Sequence, residues 1–331
     1  MTARVLVTDH AWPHLDVETS VLAAADAELV VAGTGHLDEL VALAGDVDAI
    51  LTCFAKVPAE VLDAAPRCRT VARYGVGLDN IDVARATDLG MVVSNVVDYC
   101  TDEVADHTLV MILALARRLL PLHRDVVDGG WGAGVPGTSR RLRGRTLGLV
   151  GLGAIGRAVA TRAAAIGMRV VALRRSDAAT PGIETVDRLE DLLAVADVVS
   201  LHLPLTADTA GLIDAAALRA MRPDAWLINT ARGGLVDTDA LLAALERGEI
   251  AGAALDVTDP EPLPVTHPLR SRPDVALTPH SAFASDGSLA ELARRAAENV
   301  VEVLAGRVPA GIVNPGVLTS PALRMSTAAA R

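Results

Sequence analysis

Short apolar runs alternate with amphipathic stretches along almost the whole chain, and this alternation constrains the fold more than any other feature. It is typical of parallel sheets flanked by helices. A chain of 331 residues is long enough for two such domains. Candidate helices include Leu37–Leu43, Ala59–Ala64 and Ile81–Thr87. The candidate strands form two series: Val5–Val7, Leu29–Val31, Ala49–Leu51, Thr70–Ala72 and Met91–Val93, then Thr146–Val150, Arg169–Leu173, Val198–Leu201, Trp226–Asn229, Ala253–Asp256 and Val275–Thr278.

A long helical stretch, Asp102 to Val127, lies between the two series and is broken only by Pro121. We interpret it as a connecting helix. A last amphipathic helix, about Ser288 to Leu304, follows the final strand and is of the kind that crosses back to the first domain. The predicted organisation is a discontinuous domain of residues 1–100 plus about 288–331, into which a domain of residues 101–287 is inserted.

Composition and charge exclude several classes of protein. The net charge of −11 speaks against nucleic-acid binding, which needs a basic face. The longest apolar run, Leu109 to Ala116, is far shorter than the roughly 20 residues of a membrane-spanning helix. The N-terminus lacks the pattern of a signal peptide, and three cysteines without metal-site spacing fit a reducing compartment. We therefore expect a cytoplasmic protein that does not bind membranes, nucleic acids or metal ions.

The segment TLGLVGLGAIGRAVA is the sharpest local motif. A candidate strand runs directly into a Gly-x-Gly-x-x-Gly turn and a helix, which is the context that a dinucleotide-binding turn requires. The first glycine permits the tight turn, the second lets a pyrophosphate approach the backbone, and the third lets helix and strand pack closely. N–H groups at the helix start then face the phosphates. The residues concerned are Gly151, Gly153, Ala154, Ile155 and Gly156.

The end of the next strand indicates which dinucleotide binds. An NAD site usually has Asp or Glu there to hold the ribose 2′-hydroxyl, whereas this chain has Arg174, Arg175 and Ser176. Guanidinium groups and a hydroxyl would instead bind a 2′-phosphate. We expect NADP(H) to be preferred, with NAD(H) possible. The alternative is that these arginines are solvated surface residues, since 29 of the 30 basic residues are Arg.

Three charged residues follow candidate strands of the second series, where open parallel sheets bind ligands. They are Arg232 in INTARGGLVD, Glu261 in ALDVTDPEPL and His280 in LTPHSAF. A guanidinium can clamp a carboxylate and polarise the adjacent carbonyl, and an imidazolium held by a carboxylate can deliver a proton. Each residue also has an ordinary structural explanation: Arg232 could cap a carbonyl, Glu261 could be a turn residue, and His280 could be a satisfied strand-end histidine.

With these motifs the chain resembles the D-isomer-specific 2-hydroxyacid dehydrogenases, the family of D-glycerate, hydroxypyruvate, glyoxylate and 3-phosphoglycerate dehydrogenases. The resemblance covers roughly Ala49 to Pro315. Parts of it are also similar to the branch containing the C-terminal-binding-protein corepressors. The segments that carry the resemblance to the dehydrogenases are RYGVGLDNID, VADHTLVMILALARR, LVGLGAIGR, LHLPLT, NTARGGLVD, AALDVTDPEP and TPH.

The resemblance implies two Rossmann-like or flavodoxin-like α/β domains, each a doubly wound parallel sheet, with the active site in the cleft between them. Residues 101–287 would be the NAD(P)-binding Rossmann domain, and the discontinuous domain would bind the substrate. It also implies a homodimer in which the long helix after residue 100 often takes part.

The resemblance also implies roles for individual residues. Arg232 would bind the substrate carboxylate and carbonyl, His280 would be the acid/base, and Glu261 would orient His280 and favour its protonated form. The backbone amides of Val76 and Gly77 would complete the carboxylate site. In the cofactor site, Asp256 would face the nicotinamide amide, and the same site would include Pro204, Thr230 and Ala231.

The predicted function is an NADP(H)-preferring oxidoreductase that transfers a hydride between nicotinamide C4 and C2 of a small 2-keto or 2-hydroxy acid. A glyoxylate/hydroxypyruvate type is slightly favoured. The loop Thr52–Val57 should face the substrate, with Lys56 or Cys53 at its far end. A corepressor-like protein that senses the dinucleotide with little turnover is the alternative, and an intact triad is compatible with both.

Overall fold

The computed structural model describes residues 2–132, 135, 137–173 and 182–325. The chain divides into two compact units. The first comprises Met1–Tyr99 and Ser285–Arg331, and the second comprises Cys100–Ala284. Every strand pairing within each sheet is parallel.

The first unit is built on a five-stranded sheet in the order β2-β1-β3-β4-β5. Its strands are β1 (Ala3–Val7), β2 (Ala27–Val31), β3 (Ala49–Thr52), β4 (Thr70–Arg73) and β5 (Val92–Ser94). The helices α1 (Asp16–Ala23), α2 (Leu37–Leu43), α3 (Ala59–Asp63) and α4 (Val83–Asp88) connect them, and a last helix, Asp286–Leu304, packs against β3 and β4. The central strands are buried on both faces, as expected for a parallel sheet covered by helices.

The second unit is built on a seven-stranded sheet. Its strands are β6 (Thr146–Val150), β7 (Arg169–Leu173), β8 (Glu184–Val186), β9 (Val198–Leu201), β10 (Trp226–Asn229), β11 (Gly252–Leu255) and β12 (Val275–Leu277). Their order is β12-β11-β10-β9-β6-β7-β8, so the strand order reverses beside β6. A reversal of this kind opens the crevice at which doubly wound sheets bind ligands.

Helices cover both faces of the second sheet. One hydrophobic layer lies under α5 (Thr101–Arg117) and α7 (Ala154–Ala165), and α6 (Leu119–Val127) follows α5. The other layer lies under α8 (Leu189–Val195), α9 (Ala215–Ala220) and α10 (Thr238–Arg247). The helix Asp286–Leu304 of the first unit is α11. The two parallel sheets confirm the predicted α/β architecture of doubly wound sheets.

The predicted long helix over residues 102–127 is two helices. The break lies at Arg118, which adopts a left-handed conformation with φ of 54°, and its guanidinium donates to the Gly137 carbonyl oxygen at 2.7 Å. Pro121, where we expected the only interruption, lies in the first turn of α6. Proline is tolerated there because the N–H that it lacks has no partner in the first helical turn.

The strand β8 has no counterpart in the sequence prediction. It is three residues long, pairs only with β7, and has an exposed or partly exposed side chain at every position. Edge strands of this kind do not need the apolar run by which the other strands were found. No helix in the described part of the chain is long and apolar enough to cross a membrane.

Asn314 fastens the C-terminal segment to the first sheet. Its side chain is nearly buried and makes three hydrogen bonds to β5 and to the segment before it. The oxygen accepts from the Val93 N–H at 2.8 Å, and the amide donates to the Met91 carbonyl and the Thr87 hydroxyl at 3.0 and 2.8 Å. These hydrogen bonds therefore attach the segment that follows α11 to the sheet of the first unit.

The substitution Asn314→Ala is expected to lower the free energy of unfolding by about 3 kcal/mol, because it leaves a buried N–H and a buried carbonyl without partners. Urea unfolding followed by circular dichroism measures the change. Thr319→Ala is the control, since its exposed hydroxyl bonds, among the described residues, only to the nearby Gly316 carbonyl. An unchanged midpoint for Asn314→Ala would contradict this assignment.

Candidate functional site

The carboxyl ends of five neighbouring strands meet at one edge of the second sheet. Because β12, β11, β10, β9 and β6 are adjacent and parallel, the segments that follow them lie side by side. These segments contain the glycine turn after β6, Pro204 after β9, Arg232 after β10, Asp256 and Glu261 after β11, and His280 after β12. The sheet thus brings most of the predicted site residues of this unit to one edge.

The glycine turn has the shape that a bound pyrophosphate needs. Gly151 has a φ of 106°, and a Cβ on Gly156 would lie 2.3 Å from the Gly151 carbonyl oxygen, so the fold itself requires both glycines. Gly153 is different. Its φ of −73° suits any residue, and a Cβ there would have no described atom within 4 Å. The space beside Gly153 is open, and the backbone needs no glycine there.

The start of α7 is suited to an anion. Gly153 is its N-cap, and no side chain in the described ranges caps the helix. Gly153 and Ala154 are exposed, and Ile155 is half-buried. Uncapped N–H groups at a helix N-terminus, beside open space, form a site for phosphate groups. The residues present therefore fit a dinucleotide.

The loop after β9 lies in close contact with the glycine turn. A Cβ on Gly151 would lie 2.2 Å from the His202 carbonyl oxygen, so the two loops are in close contact. Burial lowers the pKa of His202 to about 4, so the ring is neutral at physiological pH, and its Nε2 lies 2.8 Å from the Ser200 hydroxyl. Pro204 is exposed, and its carbonyl accepts from the Thr209 hydroxyl at 2.8 Å.

The turn that carries Arg232 is fixed by Asn229, the last residue of β10. The fully buried Asn229 side chain accepts from the Ala231 N–H at 3.0 Å and donates to the Arg232 carbonyl at 2.8 Å. The Arg232 side chain is half-buried and donates to the Ala231 carbonyl at 2.8 Å. Sequence reasoning missed Asn229, although an amide at the end of a fully apolar strand was a usable signal.

Asp256 holds the turn in which His280 lies. Its carboxylate is 1% exposed and accepts from the Thr278 hydroxyl at 2.5 Å and from the Ser281 and Ala282 N–H groups at 2.9 Å. Its carbonyl accepts from the His280 N–H at 2.7 Å. Buried carboxylates need such donors to offset lost hydration. The observed role of Asp256 is therefore to shape this turn, and its predicted contact with a nicotinamide amide stays a prediction.

His280 and Glu261 form an ion-pair geometry. Nδ1 of His280 lies 2.6 Å from Oε1 of Glu261, and their side chains are 22% and 38% exposed. His280 has a φ of 52°, which is uncommon for a residue with a side chain. Its ring is nearly perpendicular to that of Phe283, with ring centroids 6.2 Å apart. The structure thus joins two of the three predicted catalytic residues directly.

A histidine and a threonine on α5, His107 and Thr108, join this edge, and sequence reasoning did not assign them to it. Nε2 of His107 lies 3.0 Å from the Thr278 hydroxyl and 3.7 Å from the Asp256 carboxylate. The Thr108 hydroxyl lies 3.0 Å from that of Thr230, one of the predicted cofactor residues. The helix α5, interpreted as a connector and implied by the resemblance to take part in a homodimer, therefore also contacts the predicted site.

In the first unit, the loop that contains Val76 and Gly77 follows β4. Asn95 fixes it by donating to the Val76 carbonyl at 2.8 Å, and the Val96 N–H donates to the Gly75 carbonyl at 3.2 Å. The Val76 side chain is 44% exposed. Two hydrogen bonds thus attach the backbone of this loop to the segment that follows β5.

Beneath that loop lies a buried polar cluster that has no counterpart in the sequence prediction. Tyr74 is buried and packs edge-on against Trp12, with ring centroids 4.9 Å apart. The Trp12 indole donates to the Glu18 carboxyl at 3.0 Å. Burial raises the pKa of both Glu18 and Tyr74.

The loop from Cys53 to Lys56 is held on two sides. The Asp9 carboxylate accepts from the Cys53 and Phe54 N–H groups at 2.9 and 2.7 Å, and the Asn80 amide donates to the Cys53 and Ala55 carbonyls. Lys56 is exposed, but the Cys53 side chain is buried, and burial raises its thiol pKa to about 12. Cys53 is therefore not the exposed contact residue that we expected, whereas the neighbouring Phe54 is 43% exposed.

The predicted 2′-phosphate residues, Arg174, Arg175 and Ser176, lie outside the described residues. The strand that precedes them, β7, ends at Leu173. Within the described ranges, no group of three or more His, Cys, Asp or Glu side chains is arranged to hold a metal ion.

Substitution by alanine should have different effects at Gly153 and at Gly156. Gly153→Ala should leave the melting temperature unchanged and weaken NADPH binding at least about tenfold, since the methyl group enters space that the fold leaves open. Gly156→Ala should instead destabilise the protein by about 1–3 kcal/mol, because its methyl group meets backbone. Differential scanning fluorimetry and NADPH fluorescence titration measure the two effects. Unweakened NADPH binding in folded Gly153→Ala would contradict the proposed location of the pyrophosphate.

Comparison with known proteins agrees with this geometry. Residues 109–282 match the family model described as "D-isomer specific 2-hydroxyacid dehydrogenase, NAD binding domain". A glyoxylate reductase of Thermofilum pendens is 42% identical over 290 residues, which are 85% of each chain. A glyoxylate reductase of Aeropyrum pernix is 41% identical over 292 residues, 85% of this chain and 87% of that one.

A solved structure leads to the same family. The chain is similar to the NADPH-dependent glyoxylate/hydroxypyruvate reductase of Sinorhizobium meliloti, solved in complex with NADP and malonate. The TM-score is 0.87, the sequence identity is 32%, and 98% of each chain is covered. With sequence, domain model and fold in agreement, the chain belongs to the D-isomer-specific 2-hydroxyacid dehydrogenase family of NAD(P)-dependent oxidoreductases.

Proposed function

We propose that this protein reduces a small 2-keto acid, of the glyoxylate or hydroxypyruvate type, to the 2-hydroxy acid with NADPH. The observation that carries the proposal is the 2.6 Å contact between His280 and Glu261 at the same sheet edge as the glycine turn. The relatives named glyoxylate reductases and the NADPH-dependent relative support the substrate class and the cofactor.

The proton transfer follows from the geometry of the pair. A reduced nicotinamide, when bound, supplies a hydride to the carbonyl carbon. Because Nδ1 of His280 is directed to the Glu261 carboxylate, Nε2 is the nitrogen that gives its proton to the substrate oxygen. The Glu261 carboxylate, bonded to Nδ1, fixes the orientation of the ring. One hydride and one proton thus convert the keto group into a hydroxyl group.

Substrate orientation is assigned to two groups of atoms. The Arg232 guanidinium binds the substrate carboxylate and polarises the adjacent carbonyl, for which a planar fork of donors is well suited. The backbone amides of Val76 and Gly77 bind the same carboxylate. Asn229 and Asn95 act indirectly, since each holds the backbone beside one of these groups.

The residues of the cofactor site are assigned by position. The N–H groups around Gly153, Ala154 and Ile155 hold the pyrophosphate, and the backbone at Pro204, Thr230 and Ala231 lines the nicotinamide side. Asp256 faces the nicotinamide amide in addition to shaping the His280 turn. Arg174, Arg175 and Ser176 are assigned to the 2′-phosphate from the sequence alone. The functional division of the chain follows: residues 101–287 bind the dinucleotide, and residues 1–100 with about 288–331 bind the substrate.

A spectrophotometric assay tests the function. NADPH oxidation is measured with glyoxylate, hydroxypyruvate, pyruvate and a bulkier 2-keto acid, and then repeated with NADH. We expect the highest kcat/KM with glyoxylate or hydroxypyruvate and NADPH. Fast turnover with NADH alone would overturn the cofactor preference, and tight NADPH binding without turnover of any of these acids would favour the dinucleotide-sensing alternative.

Removing the acid/base is expected to separate catalysis from binding. His280→Ala should lower kcat by about 10²–10⁴-fold and leave the dissociation constant of NADPH unchanged. Glu261→Gln should lower kcat less, since the imidazole remains but loses its carboxylate. Glu246→Gln, at an exposed position on α10, is the control and should keep wild-type kcat. An unchanged kcat in His280→Ala would eliminate the assigned role.

We also propose a cytoplasmic homodimer. The helix α6 contains no buried residue, and four of its apolar side chains are exposed: Leu119, Leu120, Val126 and Val127, at 58%, 49%, 49% and 63%. Trp131, just beyond it, is 88% exposed. Apolar side chains concentrated in this way are typical of a protein interface, and a second copy of this chain is the occupant that the family resemblance indicates.

Sedimentation equilibrium tests the dimer. The double substitution Leu120→Glu with Val127→Glu should shift the protein to monomer, because it places two charges in an apolar interface. Val265→Glu is the matched control, since Val265 is 87% exposed but lies on the loop between β11 and β12. A monomeric wild-type protein at micromolar concentration would contradict the proposal.

A further inference from the structure

A surface cavity of about 490 Å³ lies in the second unit, away from the glycine turn. Four arginines line it, Arg117, Arg140, Arg141 and Arg143, together with the apolar side chains of Leu113 and Ile166. Arg117 ends α5, and the other three arginines precede β6. The cavity is therefore at the edge where β6 begins. The glycine turn is at the other end of this five-residue strand, about 16 Å away.

The arginine-bearing wall of the cavity is held by specific contacts. The Ser139 hydroxyl donates to the Arg117 carbonyl at 3.3 Å, and the Arg140 N–H donates to the Ala116 carbonyl at 2.8 Å. The Arg140 guanidinium lies 4.6 Å from the centre of the Trp226 ring and donates to the Asp224 carbonyl. The segment before β6 is thus fastened to the end of α5 and to the sheet.

Three of the four charges have no partner among the residues that the structure describes. The side chains of Arg117, Arg141 and Arg143 make no hydrogen bond or ion pair with any residue that the structure describes. Arg145, two residues further on, differs, since it lies 2.7 Å from the Asp197 carboxylate. Like charges around one cavity repel one another. These positive charges are concentrated here although the net charge of the chain is −11.

We propose that this cavity binds a small polyanion that carries at least two phosphate or carboxylate groups. Guanidinium groups bind both kinds of group through paired N–H donors, and several of them on one wall match a ligand with more than one anionic group. The aliphatic part of Arg143 lies beside Gly167, since a Cβ on Gly167 would be 3.3 Å from its Cγ. This site is separate from the proposed catalytic edge and does not depend on the activity assigned to it.

Isothermal titration calorimetry with pyrophosphate tests the site, using full-length protein saturated with NADPH so that the glycine turn is occupied. The double variant Arg141→Gln with Arg143→Gln is expected to bind pyrophosphate at least about tenfold more weakly than wild type, the effect of losing charge-assisted hydrogen bonds. The control is Arg188→Gln with Arg247→Gln. It removes two positive charges that pair elsewhere with Glu190 and Glu249, and it should bind like wild type.

Three outcomes would overturn the proposal. Absence of pyrophosphate binding to the wild type would do so directly. Equal binding by the wild type and both double variants would place the anion elsewhere. Dissociation of a wild-type dimer into monomers in Arg141→Gln with Arg143→Gln would show that these arginines pair with acids of a second copy.

Discussion

The parallel direction of the strands in the second sheet is the constraint on which the candidate site depends. Every strand in the run from β12 to β6 ends at the same edge, so segments far apart in sequence become neighbours. The chain order places more than 120 residues between Gly153 and His280, yet both follow strands of one sheet. An antiparallel arrangement would send alternate segments to opposite edges.

Within this arrangement, short polar side chains hold the loops that carry the chemistry. Asp256 holds the His280 turn, Asn229 holds the Arg232 turn, and in the first unit Asp9 and Asn95 hold two loops in the same manner. Each of them bonds to backbone groups that a loop leaves without partners. Such side chains leave the functional groups little freedom, which is what an orienting site requires.

Prediction from the sequence succeeded where burial dictated composition. The strands Thr146–Val150 and Arg169–Leu173 were predicted with their observed bounds, because strands covered on both faces read as apolar runs. It failed where exposure removed that signal, as at β8, or where one residue adopted an unusual conformation, as at Arg118. The loop contacts of Asp9 and Asn229 could not be predicted, since their partners are backbone groups that only the fold brings near.

The sequence by itself determined the α/β class, the glycine turn and the family, because these depend on local periodicity and on residue types at fixed spacing. The tertiary structure decided which side chains meet. It paired His280 with Glu261, bonded Asp256 to the turn that contains His280, and buried Cys53 instead of exposing it. It also gathered four arginines around one cavity. Such contacts join residues distant in sequence, and their geometry arises only when sheets and helices pack.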